Sequence, residues 1–177
     1  MKVFIGGARQ LRSLNKNITE RLDNIYQKQF EILIGDASGI DEEVQKYYFN
    51  KRYDNVIIYA SNGKVRHNVG NWEVKGVAVP KNATGFDFYA AKDLQMSNDA
   101  DYGFMIWNGK SKGTWNNICN LTNMNKPVLV YVTTYKRFFK VTSTAEAEKL
   151  KEFISKKDDF ESVNQINGMA FQQLTLF

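Results

Sequence analysis

Between Trp107 and Ile118 the chain reads WNGKSKGTWNNI, and the residue types in this stretch suit an anion. Gly109 and Gly113 let the backbone turn tightly and approach a ligand. Lys110, Ser111, Lys112 and Thr114 supply donors around them. A helical pattern follows from Thr114 to Asn125, so the free N–H groups of its first turn point at the same place and favour negative charge. The chemistry this loop offers, from Asn108 to Thr114, is the holding of a phosphate within a nucleotide. Ser111 and Thr114 also read as helix N-caps, a role compatible with phosphate binding. Trp107, at the end of the preceding apolar run, is a candidate to stack on a base.

Two further glycine loops follow apolar runs: Gly6-Gly7-Ala8-Arg9 and Gly35-Asp36-Ala37-Ser38-Gly39. Arg9 suits an anion clamp, because a guanidinium binds phosphate bidentately. Asp36, Asp41 and Asp93, with Asp87, are the carboxylates near these loops. Each could stabilise an oxocarbenium-like charge or orient a water, so Asp36, Asp41 and Asp93 are the candidate catalytic groups. Asp36 equally suits a turn, and Asp41 equally complements a helix dipole. The single His67 and single Cys119 cannot make a zinc site. A carboxylate Mg²⁺ site stays open, but no metal ligands are assigned and no cofactor is required.

Positioning these loops requires strands that end at one edge. Apolar runs at Lys2 to Ile5, Glu31 to Ile34, Asn55 to Ala60, Tyr102 to Trp107 and Pro127 to Val132 read as strands. Helical spacing appears at Asn17 to Lys28, Ile40 to Tyr53, Asp87 to Ser97, Thr114 to Asn125 and Thr144 to Lys156. Ser61 to Pro80 carries three glycines and reads as a loop or small hairpin. Alternation of strand and helix predicts an α/β fold: a Rossmann-like, doubly wound, mostly parallel sheet of about five strands with helices on both faces. Ligands bind such sheets at the carboxyl edge, where strand order reverses.

The bulk composition agrees with one domain. The 177 residues are 43% hydrophobic and 24% charged, values of an ordinary globular protein. The net charge of +5 is mild and scattered, with its densest group at Lys136, Arg137 and Lys140. Direct nucleic-acid binding is not favoured by that pattern. One cysteine suits a reducing compartment, and no apolar run is long enough to span a membrane. The expected location is cytoplasmic, with no membrane partner.

GGAR after the first strand, GDASGID after the second and ADYGFMIWNGKSKGT around the fourth together resemble the SLOG superfamily over about residues 1–135. This Rossmann-like group includes cytokinin-activating phosphoribohydrolases and DNA-processing protein A, and the likeness is closest to its small YspA/YpsA-like branch. The resemblance implies a nucleotide-type ligand. Gly6, Gly7 and Arg9 would form one wall, and Gly35, Ser38 and Gly39 a second. Gly109, Ser111, Gly113 and Thr114 would hold the phosphate. It also implies a homodimer, since members often dimerise. Phosphoribohydrolases of the superfamily carry a motif like PGGxGTxxE. Gly113-Thr114 matches its GT, but Asn117 stands where the catalytic glutamate would be. An amide cannot replace a carboxylate base.

The predicted domain covers residues 1–157, and residues 158–177 form a polar tail ending in Gln173-Leu174-Thr175-Leu176-Phe177. These last residues resemble the bacterial sliding-clamp-binding peptide, in which a glutamine makes polar contacts and the apolar anchors fill adjacent pockets. Gln173, Leu174, Leu176 and Phe177 would be the contacts, in a bacterium or a phage that uses a bacterial clamp. Three functions therefore stand open. The chain is a sensor, carrier or sequestering protein for a nucleotide derivative, a hydrolase or transferase acting on an N-glycosidic bond, or a replication or repair accessory recruited by its tail.

Overall fold

The computed structural model describes residues 1–156; the terminal peptide from Gln173 to Phe177 lies outside the described residues. Seven strands form one sheet: β1 (Lys2–Gly7), β2 (Glu31–Gly35), β3 (Val56–Ser61), β4 (Glu73–Val77), β5 (Tyr102–Trp107), β6 (Val128–Val132) and β7 (Arg137–Val141). Five helices accompany them: α1 (Lys16–Gln27), α2 (Ile40–Asn50), α3 (Gly85–Asp99), α4 (Lys112–Asn123) and α5 (Thr144–Lys156). The strand order is β4-β3-β2-β1-β5-β6-β7, and every pairing is parallel except β6 with β7.

The central strands are apolar on both faces because both are covered. Every residue of β5 and β6 is buried. Side chains alternate between two cores. Val3 and Ile5 pack with Ile18, Leu22 and Ile25 of α1 and with Val44 and Tyr48 of α2. Phe4 points the other way, into a core shared with Met96 of α3, Ile118 and Leu121 of α4, and Leu150 and Phe153 of α5. The chain thus runs outward from β1 to β4 with α1 and α2 on one face. It then returns through α3, on the opposite face, to place β5 beside β1. That return makes the boundary of β1 and β5 the point where strand order reverses.

The sheet has seven strands rather than about five. β4 escapes an apolar-run reading because four of its five residues, Glu73 to Gly76, are exposed. It lies at the sheet's edge, where charged side chains discourage further pairing. β7 lies within the basic cluster: Arg137 and Lys140 flank the inward Phe139 and Val141. A tight turn with Lys136 at φ 53° folds it back on β6.

Candidate functional site

A cavity of about 420 Å³ opens at the carboxyl ends of the strands, beside β1 and β5. Its walls come from four places. The end of β1 and the loop after it contribute Gly6 to Gln10, and the segment from the loop after β2 into the first turn of α2 contributes Ala37 and Asp41. Helix α3 supplies residues from Gly85 to Met96, and the first turns of α4 supply Ser111, Gly113, Thr114 and Asn117. Crossover topology forces this convergence, because each of these segments follows a parallel strand or packs over the switch point.

The α4 wall is rich in donors. Asn108 Oδ1 accepts the N–H groups of Lys110 (3.0 Å) and Ser111 (2.9 Å), which fixes the loop. Ser111 caps the helix: its Oγ accepts from the Thr114 amide at 3.3 Å and from the Thr114 hydroxyl at 3.0 Å. Among the described residues, the first-turn amides of Lys112 and Gly113 have no partner. A Cβ added to Gly113 would meet nothing within 4 Å, so this backbone faces open space. Trp107 sits elsewhere than expected for base stacking. It is 2% exposed, stacks on Trp115 at 5.5 Å and donates its indole N–H to the Ser111 carbonyl at 3.2 Å. Its observed contacts brace the loop from behind. Gly109 turns with φ 76°, and Lys110 is exposed; neither lines the cavity.

The opposite wall is charged and buried. Asp41 is 7% exposed, Lys92 3%. Both side chains press against the bare Cα of Gly35, where a Cβ would lie 2.5 Å from Asp41 Oδ2 and 2.8 Å from Lys92 Nζ. Lys92 Nζ donates to Asp93 Oδ1 at 2.5 Å. Asp41 accepts one long bond, from the Ala37 amide at 3.4 Å. Burial pushes the Asp41 carboxyl up to about 6 and Asp93 adds to the rise, against the opposing pull of Lys92. Lys92 is held charged: burial works against its ammonium, but Asp93 and Asp41 more than offset it.

Asp36 behaves differently although it is five residues away. Its carboxylate accepts from Arg66 Nη2 at 2.6 Å, and from Arg66 Nε and the Arg66 amide at 3.1 Å each. Burial raises its pKa, but these bonds and the charge of Lys92 outweigh it and hold Asp36 below the usual carboxylate range. Arg66 and Arg9 both lie over the Tyr89 ring, at 4.3 Å and 4.9 Å. Tyr89 and Arg9 line the cavity.

Asn117 completes the site. It lies one turn beyond Gly113, is 6% exposed and lines the cavity. Its Oδ1 has no hydrogen-bond partner. An unpaired buried carbonyl costs about 1–3 kcal/mol, so it calls for a donor from a ligand or water.

Of the residues singled out from sequence, Gly6, Gly7, Arg9, Asp41, Asp93, Ser111, Gly113 and Thr114 line one cavity. Gly35, Asp36, Ser38, Gly39, Trp107, Asn108, Gly109 and Lys110 are not in its lining. Gly39 adopts φ 87°, and a Cβ there would lie 2.4 Å from the Arg9 carbonyl oxygen, so its place is to seat the first loop on α2. Lys92, Tyr89 and Phe86 of α3 are cavity residues the sequence did not single out. The legible signal was Lys92 itself, a cation at the buried phase of a helix that also presents Met96 inward.

No described helix is long and apolar enough to cross a membrane. The chain matches no protein-family model, no curated protein and no solved structure.

Proposed function

We propose that this protein binds a nucleotide or nucleotide-derived ligand in the switch-point cavity and acts as a sensor, carrier or sequestering protein. The observation that carries the reading is the unpaired amide oxygen of buried Asn117 beside a helix N-terminus. The amides of Lys112 and Gly113 suit a phosphate. A phosphate dianion, however, has no proton to give, so it leaves Asn117 Oδ1 and the under-bonded Asp41 carboxylate without donors. A ligand that meets both needs carries a phosphate at one end and hydroxyl or N–H groups further along, as a nucleotide does. A volume of about 420 Å³ suits a small ligand of that kind.

The test is mass spectrometry after mixing the protein with mononucleotides, NAD, ADP-ribose and cyclic di- and trinucleotides, with bound ligand and solution products measured separately. Retention of an intact nucleotide supports the reading; retention of none overturns it. Release of a free base would replace it with the second reading, cleavage of an N-glycosidic bond. One observation favours that alternative: Asp41 lines the cavity with its carboxyl pushed to about 6, within the range useful for proton transfer near neutral pH. Mutagenesis would then go to Asp41 and Asp93, the two candidate carboxylates that line the cavity.

A further inference from the structure

Three cavity side chains are at least nine-tenths buried and incompletely bonded. Asn117 Oδ1 has no partner. Asp41 has two carboxylate oxygens, with acceptor capacity for about four bonds, and receives one long bond at 3.4 Å. Lys92 has three N–H donors, and its one partner among the described residues is Asp93. Asp41 and Lys92 stand side by side over Gly35, so the same small region offers free acceptors and free donors.

This combination fits neither a second phosphate nor an apolar group. The net charge of Asp41, Lys92 and Asp93 is negative when all three are ionised, which repels an anion, and an apolar group would leave the remaining acceptors of Asp41 and donors of Lys92 unmet. A pair of adjacent hydroxyls answers both needs. Each hydroxyl donates its proton to a carboxylate oxygen and accepts from the ammonium. We infer that Asp41 and Lys92 form a subsite for the vicinal 2′,3′-hydroxyls of a ribose, so that the cavity selects ribonucleotides over 2′-deoxyribonucleotides. The inference rests on the nucleotide reading and adds the sugar to it. Asp93 positions the lysine, and Gly35, with no Cβ, leaves room for the Asp41 and Lys92 side chains. Loss of the 2′-hydroxyl would leave buried charged groups unpaired, the situation in which polar sites discriminate strongly.

The experiment is calorimetric titration of the full chain at pH 8, where Asp41 is ionised, with AMP, GMP, CMP and UMP and their 2′-deoxy counterparts. The expected result is that at least one ribonucleotide binds at least about tenfold more tightly than its 2′-deoxy form. In Asp41→Asn that ratio falls below about threefold because the ribonucleotide loses affinity, while the deoxynucleotide loses little. Ribo and deoxy forms binding the wild-type protein equally would overturn the subsite while leaving the nucleotide reading intact. Binding of neither form would overturn both. The comparison on the wild-type chain decides the question even where Asp41→Asn does not fold.

Discussion

Asp36 and Asp41 begin from the same side-chain chemistry and are driven in opposite directions by their surroundings. Asp36 is tied to Arg66 by three hydrogen bonds, and its ionised form is favoured in the folded chain. Asp41 is buried with one long bond, and its ionised form is disfavoured, with its pKa raised to about 6. A carboxyl whose folded pKa exceeds its unfolded value binds more protons when folded, so its contribution to stability is full below the unfolded pKa and is lost as pH rises towards 6. Asp41→Asn removes that loss. The variant is expected to be more stable than wild type at pH 8 by about 1–3 kcal/mol, with the gain shrinking as pH falls below 6 towards 4. Denaturant unfolding at several pH values reads this directly, and a variant less stable than wild type at pH 8 would contradict it. Arg66→Ala should act with the opposite sign. It strands a buried carboxylate and should cost about 2 kcal/mol at pH 7, an effect that fades as pH falls through the ordinary carboxylate range and Asp36 protonates. All three aspartates were visible in the sequence, but their difference was not. It comes from Arg66, thirty residues from Asp36, which gives Asp36 three bonds while Asp41 receives one long bond from the Ala37 amide.

Helix α4 and the loops at its level show how an element can be permissive in one place and strict in another. Gly113 lies in the first turn of α4 and faces open space, so an alanine there meets no atom and gains helix propensity. Gly113→Ala should leave stability unchanged or raise it by up to about 1 kcal/mol. The same methyl projects where a phosphate would approach the Lys112 and Gly113 amides, so nucleotide affinity should fall at least about tenfold. Calorimetric titration beside a thermal melt separates the two effects, and unaltered affinity would remove the phosphate from this helix end. Gly39 is the strict case. Its φ of 87° and the 2.4 Å approach to the Arg9 carbonyl leave no room for a side chain. Gly39→Ala should therefore destabilise the protein by about 2 kcal/mol or more, seen as a lowered denaturation midpoint. The helices and the five inner strands were legible because burial on one or both faces imposes a periodic apolar pattern. β4 and β7 were not, because edge strands carry exposed Glu73 and Lys75 or flanking Arg137 and Lys140, and these dilute the pattern.

At the scale of the whole molecule, the element order predicted a carboxyl edge lined by glycine loops. It could not supply the strand order, which the return through α3 sets when it lays β5 against β1. That return also brings Tyr89, Lys92 and Asp93 to the cavity, so one of its walls is built by a helix that lies outside the three glycine loops. Among the described residues, every one that lines the cavity falls between Phe4 and Asn117, well separated in the chain from Gln173 to Phe177. The described lining of the cavity and the clamp-like peptide are expected to fail independently. If the peptide recruits the protein to a bacterial sliding clamp, deleting Gln173 to Phe177 would abolish that binding, because the apolar anchors and the glutamine are removed together. Nucleotide affinity should stay within about twofold of wild type, since none of the described cavity residues is touched. Biosensor binding to immobilised clamp, with calorimetric titration of the nucleotide on the same preparations, measures both. Clamp affinity that survives the deletion would rule out recruitment by this peptide. Loss of nucleotide affinity alongside it would show that the two ends of the chain are coupled.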